Sequence, residues 1–311
     1  MKYSVVIPLF NEEENIRILY SKLKSVLNNL QGEHEIIYID DGSDDRTFLI
    51  LEEITNSDSS VHVIKLRKNF GQTAALAAGF DFATGDTIIS MDGDLQHDPE
   101  DIPKLVEKLH EGYEVVSGWR KTRKDNLLTR RFPSFIANKI VASISGIHIH
   151  DFGTTLKAYR KEFIKKIYLY PGLHRFIPAL EGHGSIRIAE VPIKNIVRQK
   201  GRSNYGLSRV FRVILDLLII KYLVSYANRP LHFFGLLGLI LFFIGTICLA
   251  SGLFIKNLTA VLILATLFVS MGMNLLVIGI LAELLLRFYS ESTGKKIYAI
   301  DIILNQRISD S

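Results

Sequence analysis

Two long apolar segments constrain the fold of this chain more than any other feature of its sequence. They span residues 231–255 and 258–282, and neither contains a Lys, Arg, Asp or Glu. Each is about 25 residues long, and a helix of roughly 20 residues crosses the hydrocarbon core of a bilayer. We therefore predict a membrane hairpin over residues 231–286, with helices at about 231–255 and 258–284, and exclude a wholly soluble protein.

The positive charges around the hairpin predict its orientation. Arg229 precedes the first segment and Arg287, Lys295 and Lys296 follow the second, whereas the gap between them holds only Lys256. The positive-inside rule then places both termini and the N-terminal domain in the cytoplasm of a two-span membrane protein. A formal net charge of +5 fits attraction to anionic head groups. Because no nucleic-acid-binding motif is present, we predict no nucleic-acid partner.

Strands and helices alternate over the first 120 residues. The β-rich runs lie at 5–9, 35–39, 61–66, 86–91 and 114–119, and the helical patterns at 13–30, 45–56, 72–84 and 99–111. This alternation is typical of βαβ units and predicts an α/β fold with a mostly parallel, Rossmann-like sheet. We assign residues 1–205 to this domain, 206–230 to an amphipathic helix at the membrane surface or in the core, and 287–311 to a C-terminal tail.

Polar residues follow four of the predicted strands at the point where each ends. They are Asn11–Glu12, Asp40–Asp41, Arg67–Asn69 and Asp92–Asp94. Ligands of open α/β sheets bind at the carboxyl ends of the strands, so these groups should meet at one binding site. No glycine-rich dinucleotide motif follows the first strand and no P-loop occurs, which disfavours a dinucleotide oxidoreductase and a P-loop NTPase.

Two carboxylates separated by one glycine follow the fourth strand, in the sequence Ser90-Met91-Asp92-Gly93-Asp94-Leu95-Gln96. Carboxylates in this position can hold a hard divalent cation against a diphosphate. By itself the pattern also fits a turn with two acidic residues. The spacing differs from that of an EF-hand calcium loop.

Several ordered motifs cover nearly the whole chain. They are VVIPLFNEEENI at 5–16, IDDGSDDRT at 39–47, RKNFGQTAALAAGF at 67–80, SMDGDLQHDPEDIPKL at 90–105, DFGTTLKAYRKE at 151–162, the stretch 198–205 and LAELLLRFYSE at 281–291. Together they resemble family 2 glycosyltransferases of the GT-A fold. They are most similar to membrane-anchored polyprenyl-phosphate glycosyltransferases, a group that includes bactoprenol glucosyltransferases, an undecaprenyl-phosphate aminoarabinose transferase and dolichol-phosphate mannose synthase.

The resemblance implies a site for a nucleotide-sugar donor. The residues that would line its base and ribose pocket, or approach the nucleotide, are Pro8, Asn11, Glu12, Asp40, Lys68, Gly71 and Asp92. Asp92, Asp94 and Gln96 would hold Mg2+ or Mn2+ on the diphosphate, where the cation offsets the charge of the leaving nucleotide.

The resemblance also implies a lipid-phosphate acceptor site. The residues that would bind the phosphate are Arg120, Arg130, Arg131, Ser134, Arg202 and Ser203, with Asn204 in place of the lysine usual in this group. Asp94, Arg120 and Asp151 are the expected catalytic residues, with Asp151 as the candidate base. A phosphomonoester has its second pKa near 6 and is already ionised at neutral pH. Asp151 could therefore instead orient Lys157 or the acceptor.

The function implied is the inverting, metal-dependent transfer of one sugar, from a UDP-hexose, to undecaprenyl phosphate or a similar lipid. A homo-oligomer, by analogy a tetramer, is the expected assembly. Two alternatives stay open: a GT-A transferase acting on a protein, lipid A or diacylglycerol, and a non-catalytic membrane scaffold.

Overall fold

The computed structural model describes residues 1–121, 147, 149–167, 169, 177, 186–194, 196, 230–252, 258–292 and 296–305. The chain divides into two units. The first contains Met1–Ile220 and Lys296–Ser311, and the second contains Lys221–Lys295. The helix predicted over 206–230 lies outside the described residues, except for its last residue.

The first unit is built on a mixed sheet. Its strands are β1 (Lys2–Leu9), β2 (Glu33–Asp40), β3 (Val61–Leu66), β4 (Thr87–Ser90), β5 (Val115–Trp119), β6 (Lys157–Arg160), β7 (Ile188–Pro192) and β8 (Ile300–Leu304). Their order across the described sheet is β7-β5-β6-β4-β1-β2-β3-β8. Strands β6 and β8 run antiparallel to their neighbours, and the other pairings are parallel. The prediction of a mostly parallel α/β sheet is confirmed.

Helices cover both faces of this sheet. They are α1 (Ile16–Asn28), α2 (Thr47–Ser57), α3 (Gln72–Phe82), α4 (Ile102–His110) after a 3-10 turn at Pro99–Asp101, and the short α5 (Lys161–Ile164). Val5 and Ile7 of β1 pack in one buried cluster with α1, α2 and α4, whereas Val6 packs in a second cluster with α3 and α5. Alternate residues of a strand point to opposite faces of the sheet. Because helices cover both faces here, the strands need continuous apolar runs rather than alternating ones.

The C-terminal segment, which the sequence predicts to be a tail, contains a strand of this sheet. Ile300–Leu304 forms β8, which pairs antiparallel with β3. Just before it, the buried Tyr298 donates a hydrogen bond from its hydroxyl to Asp81 Oδ2 of α3 at 2.6 Å. The chain therefore returns from the second unit to complete the sheet of the first.

The described residues of the second unit form a pair of apolar helices, α6 (Pro230–Gly252) and α7 (Leu258–Ser292). The stretches long and apolar enough to cross a membrane are Phe233–Ala250 and Thr259–Ala282, of which only 17% and 11% is buried within the protein. The helices approach closely at Gly238 and Gly272, where a Cβ on Gly238 would lie 2.8 Å from the Gly272 carbonyl oxygen. Small residues of this kind permit close helix packing in lipid.

A buried carboxylate, that of Glu35 on β2, lies near the amino ends of the parallel strands. Glu35 accepts hydrogen bonds from Ser4 Oγ at 2.6 Å and from the Thr84 backbone N–H at 2.8 Å, and Lys2 Nζ lies 3.2 Å away. Burial by itself raises the pKa of Glu35. The hydrogen bonds and the Lys2 charge outweigh burial, so the pKa lies below its usual value near 4.5.

Glu35→Gln is expected to reduce the free energy of unfolding by about 2 kcal/mol at pH 7, because it removes a buried, hydrogen-bonded charge. Since folding lowers the pKa of Glu35, the ionised group stabilises the fold above its usual pKa, and this contribution is lost as pH falls through the lower folded-state pKa. Thermal unfolding at pH 7 and pH 4 measures this. Glu35→Gln should lose less stability on acidification than the wild type. Glu33→Gln, at an exposed position, is the control and should behave as wild type. Equal losses in all three proteins would contradict a stabilising role for ionised Glu35.

Candidate active site

The polar residues predicted to converge do follow parallel strands at one edge of the sheet, which we call the carboxyl rim. Leu9 at the end of β1 is in register with Asp40 at the end of β2, and Val6 of β1 is in register with Ser90 at the end of β4. Strand β3 is parallel to β2, and β4 and β5 are both antiparallel to β6, so the turns that follow β1 to β5 lie at this rim. It brings together every predicted donor residue and the predicted residues Asp94, Gln96 and Arg120.

The turn after β1 is joined to the turn after β2. The backbone N–H of Asn11 donates to Ser43 Oγ at 3.0 Å, and Asn11 Oδ1 accepts from the Asp44 N–H at 3.1 Å. Asn11 has a φ of 56°, a left-handed conformation in which asparagine is enriched. The Glu12 N–H donates to Thr47 Oγ1 at 2.9 Å. These bonds fix the positions of Asn11 and Glu12 beside Asp40.

Asp40 has a buried oxygen that the described residues leave without a hydrogen-bond partner. The side chain has no exposed surface, and its Oδ1 accepts a hydrogen bond from the Ser43 N–H at 3.0 Å. Its Oδ2 accepts none among the described residues. Buried polar atoms are rarely left unpaired, so this oxygen is suited to accept a hydrogen bond from a ligand hydroxyl or N–H group.

The neighbouring Asp41 organises the loop between β3 and α3. Its two oxygens accept hydrogen bonds from the backbone N–H groups of Phe70, at 2.8 Å, and Gly71, at 2.9 Å. Burial raises the pKa of Asp41 above its usual value, although both N–H groups oppose the shift. From the sequence, Asp41 was predicted only to belong to the polar cluster at the end of β2. Its position next to Asp40 in IDDGSDDRT was the available signal.

Residues 67–71, which we call the donor loop, pass close to the turn after β2. Gly42 has a φ of +72°, and a Cβ on it would lie 2.5 Å from the carbonyl carbon of Lys68. Only glycine fits this position without moving the backbone. Lys68 is exposed, with its Nζ 5.2 Å from the centre of the Phe70 ring. The predicted donor residues Lys68 and Gly71 are therefore carried by a loop held against the rest of the rim.

Asp92 and Asp94 are half-buried, and an amide side chain contacts each of them. Gln72 Nε2, at the start of α3, donates to Asp92 Oδ1 at 2.6 Å. Gln96 Nε2 donates to Asp94 Oδ2 at 2.6 Å, and the Gln96 backbone N–H donates to Asp94 Oδ1 at 3.1 Å. The role of Gln72 was not foreseen, although it stands inside the quoted motif at 67–80.

The donor atoms at this position fit a divalent cation shared with a substrate. Within the described part of the chain, no three His, Cys, Asp or Glu side chains form a metal-binding group. Mg2+ is commonly bound in proteins by one or two carboxylates together with substrate phosphates and water. Asp92 and Asp94, with the Gln96 amide beside them, supply that protein share, and a diphosphate would supply the remainder.

Arg120, the residue that follows β5, forms a bidentate ion pair with Asp151. Arg120 Nε lies 2.7 Å from Asp151 Oδ2, and its second terminal nitrogen lies 3.0 Å from Asp151 Oδ1. Asp151 is only 4% exposed. Its backbone N–H donates to Glu190 Oε1 of β7 at 3.1 Å. Because both Asp151 oxygens bind the guanidinium, this geometry favours an orienting role for Asp151 toward Arg120.

Comparison with known proteins identifies the family. Residues 4–168, more than half of the chain, match the model described as glycosyl transferase family 2. The chain belongs to this family. It is 37% identical to the dodecaprenyl-phosphate galacturonate synthase of Rhizobium johnstonii, with 99% of this chain and 94% of that protein covered. It is 33% identical to the undecaprenyl-phosphate 4-deoxy-4-formamido-L-arabinose transferase of Shewanella sediminis, covering 99% and 96%.

Solved structures show the same fold. Glucosyl-3-phosphoglycerate synthase from Mycobacterium tuberculosis, crystallised with Mn2+, UDP and phosphoglyceric acid, matches with a TM-score of 0.53 at 22% identity. The match covers 71% of this chain and 78% of that structure. This glycosyltransferase therefore has a GT-A-like fold, as expected from its motifs, together with two helices that are long and apolar enough to cross a membrane.

A buried histidine connects the two halves of the glycosyltransferase site. His97 Nε2 lies 3.1 Å from Thr155 Oγ1, which joins the turn after β4 to the segment before β6. Burial, reinforced by the charge of Arg120, lowers the pKa of His97 to about 4, so its ring is neutral at neutral pH. The side chain is 4% exposed and packs in the interior.

Part of the predicted acceptor site lies outside the described residues. The positions concerned are Arg130, Arg131, Ser134, Arg202 and Ser203. Their roles stay predictions. Glu190, which accepts from the backbone N–H groups of His150 and Asp151, was not anticipated. No local pattern marks it, because it lies 39 residues from Asp151 in the sequence.

Proposed function

We propose that this glycosyltransferase transfers one sugar, most simply a hexose-type sugar from a UDP-sugar, to a polyprenyl phosphate with inversion at the anomeric carbon. One observation carries the proposal: the same chain contains a rim suited to a nucleoside diphosphate and a two-helix hairpin. Its similarity to each of two polyprenyl-phosphate transferases extends over 99% of the chain and so includes both parts. The acceptor lipid, the UDP donor and the cation are assigned here by inference from these relatives and from the rim.

The rim supports a donor with a nucleoside, a diphosphate and a sugar in sequence. The unpartnered Oδ2 of Asp40 suits a ribose hydroxyl or a base N–H, and Asn11 and Glu12 lie beside it. Asp92 and Asp94 would hold Mg2+ or Mn2+ at the diphosphate. The cation would offset the negative charge that develops on the leaving nucleoside diphosphate.

The acceptor side needs orientation more than proton transfer. A phosphomonoester has its second pKa near 6, so a lipid phosphate already presents an ionised oxygen at neutral pH. That oxygen forms the bond to the anomeric carbon while the bond from this carbon to the nucleoside diphosphate breaks. Attack from the side opposite the leaving group inverts the carbon. Arg120 can bind the phosphate through its guanidinium, and Asp151 holds that guanidinium in place.

The chain connections support a cytoplasmic placement of the catalytic unit and of both termini. Before the hairpin, the Ile196 N–H donates to the Gln96 carbonyl at 3.2 Å, at the carboxyl rim. After the hairpin, Ile300 pairs with Leu66 at the end of β3, also at this rim. Residues before and after the hairpin thus belong to one unit. If each helix of the hairpin crosses the membrane once, the chain returns to the side on which it started, as this shared unit requires. The positive flanks then select the cytoplasmic side.

A polar side chain on α7 favours a homo-oligomer, for which we retain the tetramer as the expected form. Asn274 lies within the candidate span 259–282 and is exposed on the described hairpin. Polar groups at this depth usually face other helices rather than lipid. A second copy of the chain could supply that helix.

A transfer assay on the full chain in detergent tests the proposal. The donors are UDP-glucose, UDP-galactose, UDP-galacturonate, UDP-N-acetylglucosamine and GDP-mannose, each with Mn2+ and with or without undecaprenyl phosphate, followed by mass spectrometry of the lipid fraction. We expect one of these donors to yield a polyprenyl phosphate that carries the transferred sugar. Nucleotide release without a glycolipid, or transfer that does not require the polyprenyl phosphate, would contradict the acceptor assignment.

A further inference from the structure

We propose that Arg67 and the returning strand β8 position the donor loop, so that binding of the nucleoside diphosphate depends on the segment that follows the membrane hairpin. This inference rests on the proposed function, which assigns the nucleotide to the rim containing residues 67–71. It adds a positioning residue and a C-terminal segment, 296–305, to a site whose other described residues come from the first 160 residues and from β7.

Arg67 makes two hydrogen bonds to the C-terminal segment. Its backbone N–H donates to the Ala299 carbonyl at 3.0 Å, and its Nε–H donates to the Ile300 carbonyl at 3.2 Å. The pairing of β3 with β8 shifts register here: Lys65 pairs with Ile302, and the next residue, Leu66, pairs with Ile300. Bulges of this kind occur at sheet edges and next to active sites, where they redirect the backbone.

The other end of the donor loop is fixed by the rim itself. Asp41 accepts from the N–H groups of Phe70 and Gly71, and the backbone at Lys68 lies against Gly42. The loop is short, and its first residue is the one bound to β8. The conformation available to the exposed Lys68 is therefore determined by Asp41 from one end and by the C-terminal segment from the other.

The C-terminal segment has its own contacts that hold it on the first unit. Tyr298 is buried and donates to Asp81 Oδ2 at 2.6 Å, and Lys296 Nζ lies 3.3 Å from the same oxygen. At the far end, Asn305 Nδ2 donates to the carbonyls of Ser59 and Val61, each at 2.9 Å. These contacts keep β8 in the sheet without Arg67, so the Arg67 side chain can be removed without removing the strand.

Arg67→Ala tests the inference, with Arg67→Lys and Arg160→Ala as companions. Arg67→Lys keeps the charge but loses the Nε–H bond to Ile300. Arg160→Ala is a matched control because Arg160 is also exposed and donates Nε–H to a backbone carbonyl, that of Tyr113, at 3.0 Å. Arg160 pairs with Thr87 at the start of β4, at the opposite end of the sheet from the rim. UDP binding with Mn2+ is measured by calorimetry on the full chain in detergent.

We expect Arg67→Ala and Arg67→Lys each to raise the Kd for UDP about fivefold, which corresponds to about 1 kcal/mol, the net contribution of one ordinary hydrogen bond that positions the loop. The donor KM should rise in parallel, with kcat, the acceptor KM and the melting temperature unchanged, and Arg160→Ala should match the wild type. Wild-type affinity in both Arg67 variants would overturn this inference but not the proposed function. Wild-type affinity in Arg67→Lys alone would also overturn it, because it would show that the charge of residue 67 matters and the hydrogen bond to Ile300 does not. Failure of the wild type to bind either UDP or GDP would contradict the proposed function together with this inference.

Discussion

Asp94→Asn is expected to lower sugar transfer by about 10³-fold at saturating donor while the protein stays folded. The substitution keeps the size of the side chain and an oxygen that can accept from Gln96, whose amide and backbone N–H groups both contact Asp94. It removes one of the two carboxylate charges available for a divalent cation at the rim. The cation would then be bound weakly, and the leaving nucleoside diphosphate would lose its charge compensation.

The measurement is the initial rate of glycolipid formation over a range of Mn2+ concentrations, together with the melting temperature with and without UDP and Mn2+. The wild type should be stabilised by UDP with Mn2+, and the variant should be stabilised much less. Glu107→Gln, a carboxylate-to-amide change at an exposed position on α4, is the control and should retain wild-type rates. A rate within tenfold of wild type for Asp94→Asn would show that the carboxylate is not a required metal ligand.

The elements of the catalytic sheet that sequence patterns predicted are those with a local signal. The run 61–66 was predicted as a strand with the bounds that β3 has in the structure. Helix α1 places apolar residues at Ile16, Leu19, Leu23 and Leu27, the spacing of one buried face. The strand ends then located the rim, because parallel strands place their carboxyl ends together.

Residues whose role comes from distant contacts were not predictable in this way. Strand β8 is a short apolar run after a membrane segment, and only its pairing with β3, more than 200 residues earlier, makes it a strand of the sheet. Glu190 and Gln72 likewise act on Asp151 and Asp92 through contacts between different elements. A sequence pattern reports the local period of hydrophobic residues, and it carries no information about which side chains meet across the sheet.

The Arg120–Asp151 pair leads to the second large expected effect. Arg120→Ala should lower kcat/KM for the lipid acceptor by about 10²-fold, since a guanidinium that binds phosphate contributes strong, charge-assisted hydrogen bonds. Asp151→Asn should cost about tenfold, because Arg120 stays present but is held less firmly. Removing one member of a buried ion pair also destabilises the protein, so the melting temperature is measured for each variant.

The double variant decides between the two roles of Asp151. If Asp151 acts through Arg120, the double variant should transfer sugar no more slowly than Arg120→Ala alone, because there is no guanidinium left to orient. It should also be more stable than Arg120→Ala, in which Asp151 is left buried without its cation. If Asp151 were a general base, Asp151→Asn alone would lower the rate of sugar transfer by about 10² to 10⁴-fold. In the double variant, this decrease in rate would then multiply the decrease caused by Arg120→Ala. The acceptor phosphate is already ionised above about pH 6, so we expect the orienting outcome.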